Sequence, residues 1–443
     1  MGVLIAVTPA RVLPGPALAL ATLLATAPAA APAPDPSPDA LTRVPAGGAQ
    51  ADVRARYGHA FREIDTDHFR VVSDTSPWAH RVIAAQLEQF YRAVHPRFFT
   101  NEMPPLTVLL IHGGTDFEHY MKSHGHDDEA QAYGMYDART HTVFARRCFP
   151  DGKSSGLGTV FHETGHAMLQ ADFGRRDVPS WFGEGFASLF ERGRVVRGHW
   201  IYGNPNPMRE TVLRKAYDGG QIPTLASYFR LSDEEFMAAR GLGYSVGRSF
   251  FLYLLRSHGE EALRRFVAAV RTGQSPVKAL GTGWTMGKLE QGWRRSIVDI
   301  NFAGDYLYRA EGPRTLQTLE EGVARYPGYG NLQVALAQEL ARRKRLAESA
   351  AHARAALRDP RCTDVALAWS LLGYALWTRD AGAARMAFRT AVRCQPWNEE
   401  IMDYEYDHLA TLCEAGGDRA TANRLRAELA AMKTQSSPSG CAP

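Results

Sequence analysis

The stretch that most restricts this chain is Val160-Phe161-His162-Glu163-Thr164-Gly165-His166-Ala167-Met168-Leu169. Apart from the motif residues it is almost wholly apolar, so it reads as a buried helix. Polar side chains on a buried helix need partners. His162 and His166 are four residues apart, about 40° apart on one helical face, so both imidazoles can converge on a single cation. Glu163 lies about 100° round from His162, beside such a cation rather than facing it. There a carboxylate can take a proton from a water that the cation polarises. The spacing therefore predicts a catalytic metal helix.

A catalytic zinc takes a third protein ligand and keeps one position open. Two carboxylates compete for that role. Asp172 stands where a metzincin places its last histidine, but Leu169 occupies the position of the turn glycine that would bring such a ligand back. Glu184 lies in the apolar, helix-like run Pro179-Ser180-Trp181-Phe182-Gly183-Glu184-Gly185-Phe186-Ala187-Ser188. Two glycines flank it, each costing a helix interior about 1 kcal/mol relative to alanine. Close approach to the His162–His166 helix is the expected reason, and Glu184 is the favoured ligand.

Strand patterns come before this helix. Phe69–Val72 alternates, and Leu106–Ile111 is a continuous apolar run between prolines and Gly113-Gly114, the mark of a buried strand. Val82, Ala85, Leu87 and Phe90 are spaced as on a helix. Thr140–Ala145 reads as an edge strand. From Val160 onward the chain reads as helices and loops only, giving an α+β catalytic region with its strands first. The histidine-rich Ser123–Asp128 reads as a solvated loop.

After Pro313 the character changes to Ala/Leu/Arg-rich helices, with Pro327, Pro360 and Pro396 spaced 33 and 36 residues apart. These spacings bracket the 34-residue tetratricopeptide period. The clearest unit starts at Trp369 and runs through Gly373, Ala384, Phe388 and Ala391. The expected organisation is a signal peptide over 1–30, a Pro/Ala-rich linker over 31–56 and a catalytic domain over 57–312. All-α tetratricopeptide-like repeats over 313–432 and a disordered tail over 433–443 complete it. The signal peptide is read from Arg11, the apolar run Ala17–Ala27 and the small residues around Ala27 and Ala29. That run is too short to span a bilayer, so the expected location is secreted or periplasmic, with no stable membrane insertion.

A net charge of +4 with 22% charged residues is ordinary globular balance, and no basic run with interleaved aromatics points to nucleic acid. Five scattered cysteines are too few for a disulfide framework, though one bridge among the last four fits an oxidising compartment, and the lack of a C-x-x-C pair argues against a cysteine zinc site.

H-E-x-x-H followed by W-x-x-E-G-x-A resembles the signature of gluzincins, which include thermolysin-like and aminopeptidase-N-like enzymes. The chain is most similar to the peptidase-MA-like bacterial gluzincins over about residues 66–300. His68-Phe69-Arg70-Val71, Leu106–Ile111 leading to Asp116-Phe117, Tyr133–Asp137, Gly243-Tyr244-Ser245 and Leu289-Glu290 with Trp293 carry that likeness. Glu184 follows His166 by 18 positions, one or two fewer than in well-studied members, so the connecting loop is tighter. The resemblance implies a zincin-like fold and one Zn2+ per chain on His162, His166 and Glu184, with Glu163 as general base. It implies that Tyr244, 60 residues beyond Glu184, donates to the developing oxyanion, and that Thr140–Ala145 binds substrate backbone as an added strand. Tetratricopeptide-like repeats, which often accompany such domains, would dock a protein partner or substrate.

The function this points to is a zinc metallopeptidase acting on peptide or protein substrates. The alternatives are a helical-repeat binding protein with a structural or vestigial zinc site, and a zinc hydrolase of a non-peptide substrate. Glu163 favours an enzyme, because a purely structural site has no use for that carboxylate.

Overall fold

The computed structural model describes residues 61–435, apart from 74–76, 112–113, 127–131, 147–155, 175, 197–198, 240, 300–301, 311–314 and 395–398. The expected signal peptide and linker lie outside the described residues, as does most of the expected tail.

Short β-branched and apolar runs build a small mixed sheet. Its strands are β1 (Arg62–Asp65), β2 (Phe69–Ser73), β3 (Leu106–Ile111), β4 (Gly134–Asp137) and β5 (Thr142–Arg146), in the order β1-β2-β3-β5-β4. β2, β3 and β5 are parallel, while β1 and β4 pair antiparallel at the two ends. The apolar helix α1 (Pro77–Phe98) makes the β2-to-β3 crossover, and α2 (Gly114–Ser123) follows β3. β4 and β5 form a hairpin in which Asp137 accepts from the backbone N–H of Arg139 and the hydroxyl of Thr140.

This pairing corrects the sequence expectation that Thr140–Ala145 is an edge strand. β5 is bonded on both sides, to β3 and to β4, and all five of its residues are buried. Among the described residues the sheet ends on this side at β4, and on the other at β1. Alternating Thr and His residues look solvent-facing locally, but strand order is set by partners distant in sequence.

After the sheet come α3 (Gly156–Phe173) and α4 (Ser180–Ala187), both rich in buried residues. A second correction follows them: β6 (Arg194–Val196) and β7 (His199–Ile201) form a two-stranded antiparallel hairpin where only helices and loops were expected. Its Trp200 ring packs on Phe161 of α3 at 4.7 Å. This buried aromatic contact holds the hairpin on α3.

Helices α5 (Pro207–Asp218), α6 (Leu225–Tyr228), α7 (Asp233–Ala238) and α8 (Gly241–Arg271) close the region with α9 (Pro276–Ala279), α10 (Met286–Asp299) and α11 (Gly304–Arg309). α8 is two helical segments meeting at Gly259, whose φ of 81° and ψ of 168° only glycine adopts without strain. One continuous core runs from the sheet through α1, α3, α4 and α8 to Trp293 on α10.

The C-terminal part is a succession of helices, from α12 (Thr315–Arg325) and α13 (Gly330–Arg342) through α14 (Leu346–Arg358) and α15 (Val365–Leu376). It continues with α16 (Ala381–Cys394), α17 (Glu399–Ala415) and α18 (Arg419–Gln435), so the last helix extends beyond residue 432. α15 and α16 pack where Gly373 meets the Phe388 ring; a Cβ there would lie 2.6 Å from a ring carbon. Cys362, Cys394 and Cys413 are free thiols. No described helix is long and apolar enough to cross a membrane.

Candidate metal centre

Helix α3 supplies His162 and His166, and α4 crosses it to bring in Glu184. His162 Nε2 lies 3.1 Å from His166 Nε2. Glu184 Oε2 lies 3.0 Å from His162 Nε2 and 3.3 Å from His166 Nε2. Three donor atoms thus form a nearly equilateral triangle. Ligands held about 2.0–2.2 Å from a tetrahedral zinc would stand roughly 3.3–3.5 Å apart. The residues present therefore fit a zinc ion in both donor type and spacing.

The charge balance points the same way. Glu163, Glu184 and Glu191 crowd round two imidazoles. Burial opposes charge on His162, but the carboxylates of Glu184 and Glu191 outweigh it and push the imidazole up to about 10. Burial opposes the charge on Glu184 as well, and the two histidines overcome it, holding the carboxyl well below the usual range. Without metal, a proton on His162 stands where a cation's charge is called for.

Glu163 lies beside the triangle. Burial raises its carboxyl above the ordinary value, against the pull of His162 and His166 and of the backbone N–H of Tyr136 on β4. A raised carboxyl is a better proton acceptor near neutral pH. The edge strand reaches it because Gly134 leaves no side chain against α3: a Cβ there would meet Thr159 Cγ2 at 2.6 Å. β4, rather than the predicted Thr140–Ala145 segment, is the strand edge beside Glu163.

Asp172 is not available as a ligand. Its Oδ1 accepts from the backbone N–H groups of Thr100 and Asn101 and from the Thr100 hydroxyl, while Oδ2 pairs with Arg271 at 2.6 Å. These bonds hold its carboxyl below the usual range despite burial. Asp172 anchors the end of α3 to the segment after α1.

The glycines flanking Glu184 divide their work. A Cβ at Gly183 would touch the His166 ring at 3.6 Å, so this glycine faces α3 as expected. Gly185 faces α8 instead. A Cβ there would meet the Phe251 ring at 2.8 Å and the Gly247 carbonyl carbon at 3.0 Å.

Tyr244, near the start of α8, stands in the same electrostatic environment. Burial, then the charge of Glu184, pushes its phenol above the ordinary value, so it stays protonated at neutral pH. Among the described residues its hydroxyl has no hydrogen-bond partner. Tyr228, another phenol that senses Glu184, donates to Gly243 O at 2.7 Å and is not free to act.

Two residues escaped the sequence reading. Glu191 Oε1 approaches His162 Nδ1 to 3.3 Å, an ion-pair distance without full hydrogen-bond alignment. It accepts from Asn206 Nδ2 at 2.5 Å and Arg209 Nη2 at 2.7 Å. A carboxylate behind a histidine fixes the ring and raises its basicity as a ligand. The one local signal was a charged residue ending the apolar run Phe186–Phe190. The histidine-rich loop holds no metal-like cluster among its described residues. His124 stacks on Tyr120 at 4.0 Å, and His126 lies 3.7 Å from Asp137 Oδ2 with its side chain 12% exposed, so neither projects freely into solvent.

No family model matches the chain, and no curated protein matches it. Among solved structures, that of yeast LTA4 hydrolase in complex with bestatin aligns over 83% of this chain and 67% of its own, at 13% identity and a TM-score of 0.33. Likeness at that level carries neither fold nor chemistry across.

Proposed function

We propose that this chain is a zinc-dependent metallohydrolase of the gluzincin type, and more particularly a peptidase. The observation that carries this is the triangle of His162, His166 and Glu184 donor atoms, 3.0–3.3 Å apart, with the raised carboxyl of Glu163 beside it. A bound zinc supplies Lewis acidity, polarising a carbonyl and lowering the pKa of water towards about 7. Glu163 takes the proton from the attacking water and passes it to the leaving amine. Tyr244 donates its phenolic proton in a hydrogen bond to the developing oxyanion. The β4 edge supports peptides as substrates, since a strand at the end of a sheet can pair with an extended chain, here beside Glu163. The helices after residue 312 are proposed as tetratricopeptide-like docking surfaces for a protein partner or substrate, and the apolar N-terminal run supports export.

Glu163→Gln tests the reading. The variant is expected to keep one zinc per chain, by elemental analysis, and to lose at least about 10²-fold in the rate of peptide-library cleavage. Cleavage at the parent rate would end the proposal.

A further inference from the structure

Helix α5 begins with a turn built around Arg209. Pro207 opens the helix, and Asn206 caps it, accepting from the Arg209 backbone N–H while donating its own amide to Glu191. The Arg209 side chain is only 15% exposed. Its Nη2 donates to Glu191 Oε1 at 2.7 Å and its Nε reaches Oε2 at 3.4 Å, a two-point grip. The guanidinium also lies over the Tyr244 ring, with Cζ 4.7 Å from the ring centroid. One planar group therefore touches both the carboxylate behind His162 and the phenol proposed to meet the oxyanion.

We infer that Arg209 is a positioning residue that fixes both ends of the site at once, orienting Glu191 against His162 and the Tyr244 ring against the cleft. Its planar fork can pair with a carboxylate through two nitrogens and stack on an aromatic face together. A lysine ammonium does one or the other. Without that grip Glu191 would be a buried carboxylate held, among the described residues, by the Asn206 amide and the ion-pair contact with His162, with the charge of Arg248 acting from further off. It would then turn away, leaving His162 unsupported. The inference rests on the reading of this centre as a zinc site.

The test uses the full-length, metal-free protein and zinc itself. Competition against a chromogenic chelator gives the zinc dissociation constant of the parent, Arg209→Met and Arg209→Lys, with folding checked by circular dichroism. Arg209→Met is expected to bind zinc about 10–100-fold more weakly and to alter the visible spectrum of the cobalt-loaded protein. Arg209→Lys should recover part of the affinity. For the link to Tyr244, cleavage of a quenched fluorescent peptide library is compared in Tyr244→Phe, Arg209→Met and the double variant. The double variant should fall little below Arg209→Met alone, because a misplaced phenol has already lost its effect. Parental zinc affinity and cobalt spectrum in folded Arg209→Met, or losses that multiply in the double variant, would overturn the inference. If Arg209→Met does not fold, Arg209→Lys decides, and parental affinity there overturns it equally. A parent protein that binds no zinc would instead defeat the underlying reading of the centre, and the inference with it.

Discussion

At the scale of single residues, the two carboxylates that compete as third ligand differ by what already surrounds them. Asp172 has both oxygens engaged by Thr100, Asn101 and Arg271. Glu184 offers an oxygen to two imidazoles and little else. Removing a true ligand weakens zinc binding by orders of magnitude, so Glu184→Ala should emerge from purification largely without metal. Asp172→Ala should keep its zinc but lose about 1–3 kcal/mol of stability, because the backbone N–H groups of Thr100 and Asn101 lose their acceptor and Arg271 keeps only Thr100 of its two partners. Metal content and melting temperature measured side by side check both. The reverse pattern would remove Glu184 from the centre. His162, Glu163 and His166 were legible beforehand because an i, i+4 relation is a property of any helix. Glu191 and Arg209 were not, since they meet only where β6, β7 and α5 fold back on α3.

At the scale of elements, the crossing of α4 and α8 decides where Glu184 points. Gly185 and Gly247 let the two helices come close: a Cβ on Gly247 would meet Gly185 Cα at 3.0 Å and the Tyr228 hydroxyl at 2.6 Å. Gly185→Ala should push α4 off α8 at a cost of about 1–3 kcal/mol and weaken zinc binding with it. Gly183→Ala meets only the tip of Val178 at 3.3 Å and the His166 ring at 3.6 Å. Its improved helix propensity, about 1 kcal/mol, offsets that crowding, so it should be nearly neutral. Thermal melts of the two variants compare them directly, and equal effects would show that the α4–α8 contact does not set the site. The sequence announced that glycines here mean close approach. It did not say that one glycine serves α3 and the other α8, because glycine marks missing volume without naming the neighbour. β5 proved central, with β4 outside it, for a similar reason.

At the scale of the whole molecule, residues after 312, expected as a separate helical domain, make contacts with the region that holds the site. Glu210, next to Arg209, accepts from the backbone N–H of Gly304 at 3.1 Å and from the Tyr329 hydroxyl at 3.0 Å. Arg194 of β6 donates to Pro360 O at 2.7 Å, and Arg192 lies 3.7 Å from Asp364. Leu332, Leu336 and Leu340 of α13 share an apolar cluster with Ala303 and Tyr329. Tyr329→Phe leaves the carboxyl of Glu210 short of a partner and should cost about 1–3 kcal/mol. A chain ending at Gly312 should lose more, exposing the α11 face that this cluster covers, and should aggregate or melt well below the full chain. Calorimetry and light scattering would show it. A monomeric truncated chain with parental melting temperature and zinc content would show that the region before residue 313 stands alone.

What the sequence determined by itself was local: the helix bearing His162, Glu163 and His166, the Trp181–Ala187 run carrying Glu184, the buried strand Leu106–Ile111 and the helical character of the C-terminal third. Periodicity and spacing express these directly, since each depends on residues within one or two turns. Only the tertiary structure decided the rest. It gave Asp172 to Arg271, the sheet edge beside Glu163 to β4 and Arg209 to both Glu191 and Tyr244. Partners that lie tens of residues apart are chosen by how elements pack and which buried charges then face each other, and no single stretch of chain encodes that choice.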